Sequence, residues 1–192
     1  MKTECPIVFL MCDAKNSFIT MKHLLLKGKT VVYADWANVY GWRSSLKREV
    51  DARKLFAYLK SYPEVADIRL YYGEDRHPKS SAFLRECAQT GYTVVSKEVK
   101  YILIAEVEGQ KLYRKKCDFD MEISIDVHNA LEEGVESFVF LTGDGDFAPL
   151  YRKLIALGKR VIVVYADGHL GREVWDIKKG IFKIEIDNLL EI

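Results

Sequence analysis

No stretch of the 192-residue sequence approaches the ~20 consecutive apolar residues that a membrane-crossing helix needs. No membrane partner is therefore expected. The apolar run nearest the start, Ile7 to Cys12, is too short for a secretory leader, and no small-residue cleavage site follows it. A cytoplasmic protein is expected. Excess charge of one sign is missing too: 29 basic and 28 acidic residues leave +1, so nucleic-acid affinity must come from local patches. Proline is scarce at 4 residues, and there is no low-complexity tract to suggest disorder throughout. The four cysteines, Cys5, Cys12, Cys87 and Cys117, form no CxxC pair and no Cys/His cluster at zinc-finger spacing. Reduced, partly buried thiols are the reading that remains. Neither a G-x-G-x-x-G after the first strand nor a Walker lysine motif is present, which argues against dinucleotide or P-loop binding. His23, His77, His128 and His169 are scattered, with no serine or cysteine motif to pair with, so triad chemistry lacks support. An aspartyl-nucleophile phosphatase would want a second acid two residues after Asp35, where Ala37 stands.

What is there is a regular alternation. Residues 1–28 hold no long periodic element and read as an N-terminal extension; 29–192 read as one domain. Thr30–Ala34 is a short β-type run ending at Asp35. Val50 to Ser61 carries Leu55, Tyr58 and Leu59 at helical spacing, Val65 to Tyr72 reads as a strand, and Lys79 to Thr90 as a helix stopped by Gly91. Tyr92 to Val107 holds a strand and a hairpin partner turning at Glu108-Gly109-Gln110. Ser137–Leu141 is a buried strand, Phe147–Leu157 a helix closed by Gly158, and Arg160–Tyr165 a strand. A short helix near Gly171–Lys178 and a strand Phe182–Ile186 complete the chain. Strands alternating with helices predict a mostly parallel α/β sheet covered on both faces, with ligands beyond the carboxyl ends of the strands.

Acidic residues fall at those ends. Asp35 closes the first strand, and Asp144 and Asp146 follow Phe138–Leu141 in Thr142-Gly143-Asp144-Gly145-Asp146. If the two strands are neighbours, three carboxylates meet, repel and raise one another's pKa. A hard cation, Mg²⁺ or Mn²⁺, relieves such repulsion through oxygen ligands. The glycines permit a backbone path that aims both aspartates one way. Asp146 has a second reading as an N-cap of the helix that follows. Phe119 to Val127 alternates apolar and polar residues as a strand would, yet Ile123, Val127, Ala130 and Leu131 fall at helical spacing. On a helix, Asp120 would lie in the first turn and Asp126 on another face; the pattern alone leaves both forms open.

Three segments in order resemble the NYN family, in its LabA-like branch, of PIN-like nucleases. They are Val32-Tyr33-Ala34-Asp35-Trp36-Ala37-Asn38, the run Lys116 to Asp126, and Leu141-Thr142-Gly143-Asp144-Gly145-Asp146-Phe147-Ala148-Pro149-Leu150 with Leu157-Gly158-Lys159-Arg160-Val161 after it. The resemblance spans about Thr30 to Ile186. It implies a Rossmann-like, PIN-type three-layer sandwich and a helical central segment. It also implies an acidic cluster that binds Mg²⁺ or Mn²⁺ and hydrolyses RNA phosphodiesters. Carried over by position, the catalytic and metal-binding residues are Asp35, Asp120, Asp144 and Asp146, with Asp126 a weaker metal candidate and Asn38 a supporting polar contact.

A ribonuclease also needs positive charge around its acids. Segments 41–54 and 97–116 each carry a local excess of three positive charges, interleaved with Trp42, Tyr101 and Tyr113. Basic residues beside exposed aromatics suit single-stranded RNA, whose bases stack on aromatic faces. Trp36 and Tyr40, which flank the acids in sequence, together with Arg43 and Lys116, are the expected substrate contacts. Against this metal-dependent ribonuclease stand two other readings. One is a non-catalytic RNA-binding or regulatory module on the same fold. The other is an interaction role for residues 1–28, whose Ile7–Met11 stretch could dock on a partner or make a homo-oligomer.

Overall fold

The computed structural model describes residues 23–107 and 110–189. Thr30–Asp35 forms β1, and all six of its residues are buried, as fits a strand covered on both faces. In chain order there follow α1 (Trp36–Gly41), α2 (Arg43–Leu46), α3 (Ala52–Lys60), β2 (Val65–Glu74), α4 (Pro78–Thr90), β3 (Thr93–Glu98), β4 (Lys100–Val107) and β5 (Gln110–Lys116). Then come α5 (Asp120–Glu132), β6 (Ser137–Leu141), a 3-10 turn (Gly145–Phe147), α6 (Ala148–Ala156), β7 (Arg160–Tyr165), α7 (Arg172–Trp175) and β8 (Ile181–Glu185).

Six strands make one sheet in the order β3-β2-β1-β6-β7-β8, and every neighbouring pair is parallel. One face carries α1, α3 and α4, which bury Trp36, Val39, Leu55, Leu59, Leu84 and Cys87 against Val32, Leu70 and Val139. The other carries α5 and α6, which bury Ile123, Val127, Tyr151 and Leu154 against Tyr33, Tyr71, Phe138 and Phe140. The α/β three-layer arrangement is the one expected. From β1 the chain steps outward to β3, then returns to place β6 on the other side of β1, so the strand order reverses between β1 and β6. Such a switch point opens a crevice at the carboxyl ends of the strands.

The central segment 120–132 is a helix. Its misleading alternation comes from Met121 and Ile125, apolar side chains left 69% and 55% exposed, while the buried Ile123, Val127 and Ala130 follow helical spacing. The hairpin expected after Tyr92 is β4 with β5, a separate two-stranded antiparallel sheet; Glu108 and Gly109 of its turn lie outside the described residues. β5 is exposed along its whole length, and Ile102, Leu103, Ile104, Leu112 and Tyr113 all stand out in solvent.

The described part of the N-terminal extension rests on the domain. Leu24 is buried in the core, its amide donates to the Tyr62 hydroxyl at 3.1 Å, and the Lys27 amide donates to Ser137 Oγ at 2.7 Å. Leu24 and Lys27 of the extension therefore pack on the domain; the Ile7–Met11 stretch lies outside the described residues. Cys87 and Cys117 are free thiols, and burial pushes Cys87 up to about 12. Cys5 and Cys12 are outside the described residues. No described helix is long and apolar enough to cross a membrane.

Candidate metal centre and nucleic-acid interface

Asp35 is the last residue of the central strand and the cap of α1. Its carboxylate accepts the Asn38 amide at 3.4 Å and the Asn38 side-chain NH₂ at 3.0 Å. Only 8% of Asp35 is exposed. Burial raises its pKa most, the Asn38 hydrogen bonds oppose that, and the Asp144 charge raises it further.

The parallel register of β1 with β6, Ala34 opposite Leu141, releases both chains side by side. Past Leu141, the Asp144 amide donates to Thr142 Oγ1 at 3.2 Å, and the Asp144 carboxylate caps the 3-10 turn by accepting the Asp146 amide at 3.0 Å. The cap considered for Asp146 thus belongs to Asp144, two residues earlier, and Asp146 itself is exposed. The glycines here serve close packing rather than positive φ. The Gly171 amide donates to the Gly143 carbonyl at 2.7 Å, and a Cβ on Gly143 would stand 1.5 Å from the His169 carbonyl oxygen. A Cβ on Gly145 would meet Glu173 Oε2 at 2.3 Å, and one on Gly171 would meet the Gly145 backbone at 2.7 Å. This seam fixes the acidic loop against the loop before α7, and only bare backbone fits it.

Asp120 opens α5 and joins them. Burial raises its pKa first, and the charges that raise it next are Asp144, Asp118, Asp35 and Asp146. The helix N-terminus favours the carboxylate form, yet its strongest charged neighbours are all aspartates. Beneath the group, the Tyr151 hydroxyl is fully buried with no hydrogen-bond partner among the described residues, and it feels Asp144 and Asp35. Oxygen-only donors with uncompensated charge, above an orphaned hydroxyl, fit a hard divalent cation in chemistry. As they lie, no three His, Cys, Asp or Glu side chains among the described residues stand close enough to hold one.

The remaining expected residues divide. Asp126 is six residues along α5 from Asp120, roughly 9 Å along the helix axis at 1.5 Å per residue. It is engaged elsewhere: Arg69 Nη1 reaches it at 2.9 Å and the Tyr71 hydroxyl donates to it at 2.6 Å. Trp36, expected to touch substrate, is 5% exposed and packs tilted on Phe83 with ring centroids 5.3 Å apart. Its neighbour Asp35 ends the strand, so the first turn of α1 points the indole into the core. Tyr40 is 43% exposed with the Arg43 guanidinium 3.7 Å over its ring. Lys116 pairs with Asp118 at 3.2 Å.

Several residues near the crevice gave no signal in the sequence. Gly171 and Tyr151 act on segments distant in the chain, at Gly143 and Asp35. Trp175 is 56% exposed, with the Lys178 and Lys183 ammonium groups 5.3 and 5.4 Å from its ring. An isolated tryptophan in a four-residue helix has no periodicity to mark it.

The family model described as "NYN domain" matches residues 29–179. A curated relative, the low amplitude and bright protein LabA of Synechococcus elongatus, is 29% identical over 153 residues, 79% of this chain and 76% of its own length. In fold, the chain is similar to a crystal structure of a protein of unknown function from Vibrio parahaemolyticus. The TM-score is 0.65 at 22% identity, over 86% of this chain and 98% of that one. An aspartate at the end of the central strand, a second opening α5 and a Gly-Asp-Gly-Asp loop beside them come with a match over most of the length: the chain belongs to the NYN domain family.

Proposed function

We propose that this protein is a metal-dependent ribonuclease that hydrolyses phosphodiester bonds within single-stranded RNA. The observation that carries the reading is the gathering of Asp35, Asp120 and Asp144 at the strand-order switch, with no compensating cation among their strongest neighbours. Such repulsion is costly to the fold, so it favours a function that uses it.

Asp35, Asp120 and Asp144 would hold Mg²⁺ or Mn²⁺. Asp146, exposed beside them, would bind the ion or accept a proton from the attacking water. When bound, such an ion polarises a phosphoryl oxygen and lowers the pKa of a water. The chain's own contribution is orientation: Asn38 fixes both oxygens of Asp35, and the 3-10 turn fixes Asp144. Tyr40, Arg43 and Lys116 would meet the strand outside the acids. The free thiols of Cys87 and Cys117 suit the reducing cytoplasm in which we place the reaction.

The test is cleavage of a labelled single-stranded RNA in Mg²⁺ or Mn²⁺ by the wild type, by Asp144→Asn and by the wild type in EDTA. Cutting that needs both the metal and Asp144 supports the enzyme. A second reading, an RNA-binding module without catalysis, draws on the absence of a ready three-donor grouping among the described residues. Binding without cutting, unchanged in Asp144→Asn, would establish that alternative instead.

A further inference from the structure

At the same carboxyl edge of the sheet, but on the α1–α4 face, lies a cavity of about 480 Å³. Its aromatic lining comes from three elements, Trp36 and Tyr40 of α1, Tyr72 near the end of β2 and Phe83 of α4, and Glu49 and Val50 close it from the segment before α3. The Phe83 ring packs tilted on Trp36 and edge-on to Tyr72, with centroids 5.3 and 5.6 Å apart, so three rings form one continuous aromatic wall. The burial that removes Trp36 from direct exposure is what builds this wall.

Cations rim the opening. Lys79 and Lys115 line it, and Arg43 lies over the ring of Tyr40. Lys115 arrives from the exposed hairpin, which is latched here: Lys115 Nζ and the Tyr101 hydroxyl both donate to the Asp75 carboxylate, and the Arg76 guanidinium sits 4.7 Å over the Tyr101 ring. The latch pairs Lys115 with Asp75 and Glu49 also lines the cavity, so the positive charge open to a phosphate comes from Lys79 and Arg43. His77 also lines the cavity, and its Nδ1 accepts the Lys79 amide at 3.2 Å.

We propose that this cavity, walled by Trp36, Tyr40, Tyr72 and Phe83 and rimmed by Arg43, Lys79 and Lys115, binds one nucleobase of a single-stranded RNA. The proposal rests on the ribonuclease reading, since it supplies the adjoining subsite for the same strand. Small-molecule pockets span about 300–1,000 Å³, and one base with its ribose is small enough to enter this one. Flat aromatic faces accept any base by stacking, while cations at the mouth meet the flanking phosphates. Asp35 ends β1 and Trp36 begins α1, so a base seated here places its neighbouring phosphate toward the acid cluster.

The test uses an eight-nucleotide single-stranded RNA carrying 2-aminopurine at one position at a time, titrated in EDTA so that binding is read without cutting. Fluorescence should be quenched at one preferred position with the wild type. Tyr40→Ala should lose that quench and bind about 5- to 150-fold more weakly, the equivalent of ~1–3 kcal/mol for one stacked base. Tyr40→Phe should restore both. Binding without position-specific quenching, or a Tyr40→Ala variant that binds as tightly as the wild type, overturns the base pocket while leaving the nuclease standing. Quenching by a wild type that never cuts in Mg²⁺ or Mn²⁺ sinks the nuclease but supports the pocket. No binding at all by the folded wild type overturns both.

Discussion

Two groups of carboxylates lie along the central strands, and the protein treats them in opposite ways. On the β2 side Asp67, Asp126 and Asp75 are each answered. Asp67 and Asp126 share Arg69 at 2.8 and 2.9 Å, Tyr71 adds a hydrogen bond to Asp126, and Asp75 holds Lys115 and Tyr101. At the β1–β6 switch, the Asp144 charge raises the pKa of both Asp35 and Asp120, and Asp35 also raises that of Asp120, with only amide and side-chain N–H donors to help. The first group is what a fold does with charge when stability alone matters. The second has no cation among its strongest neighbours, which is why the proposed metal is placed there.

The largest effect should come from the cluster and fall on activity alone. Asp144→Asn should cut RNA cleavage by about 10²-fold or more, the scale for removing one electrostatic catalytic group. Its melting temperature should hold or rise, since asparagine caps as well as aspartate and carries no charge. A variant that melts early would merge the two groups and remove the distinction.

Asp126→Ala should do the reverse. Removing it leaves Arg69 with Asp67 alone and strands the Tyr71 hydroxyl, a loss of about 2 kcal/mol. For a chain of this size that is a fall of about 4–8 °C in melting temperature. Cleavage per folded molecule should be unchanged; a loss of activity at constant fold would return Asp126 to the metal site.

Tyr151→Phe sharpens the comparison from below. Deleting a buried hydroxyl with no partner costs little and can stabilise, so melting without metal should be level or higher. If the hydroxyl serves the bound cluster, the Mg²⁺ or Mn²⁺ concentration for half-maximal cleavage should rise; an unchanged requirement would assign Tyr151 to packing alone.

The smallest effects concern pH. Asp35 has a raised pKa, so the folded state binds its proton more tightly and loses stability as pH climbs from about 3.9, the unfolded value, through the raised one. Asp35→Asn should therefore melt higher than the metal-free wild type at pH 7, by a margin that shrinks toward pH 4. Asp75 is the opposite case, lowered to about 2 by its hydrogen bonds from Lys115 and Tyr101. Its contribution is present above about 3.9 and is lost as pH falls toward 2. Asp75→Asn should remove that acid-side slope, and because its ion-pair partner Lys115 is exposed it should move the melting temperature little at pH 7. A margin for Asp35→Asn that is flat with pH would show the cluster to be compensated after all.

Much of the fold could be read directly from the residues. β6 spans Ser137–Leu141 and β7 Arg160–Tyr165, as their apolar runs indicate, because strands buried on both faces leave no polar ambiguity. α1 and α2, six and four residues long, escaped because so short a helix completes no hydrophobic period. α5 was undecided because two of its apolar side chains face solvent. Asp35 and Asp144 were legible as candidates from their places after strands. The orphaned Tyr151 hydroxyl and the aromatic wall at Phe83 were not, since their partners are remote in the chain.

By itself the sequence determined the alternation of strands and helices, the parallel sheet and the positions of acids after β1 and β6, all consequences of local propensity and hydrophobic period. Only the tertiary structure decided which acids are answered. That depended on Arg69 of β2 reaching Asp126 of α5, on a glycine seam pressing 143–145 against 169–171, and on Asp120 arriving at the switch point. Coulomb energy falls with distance and depends on burial, and neither quantity exists until distant segments are packed together.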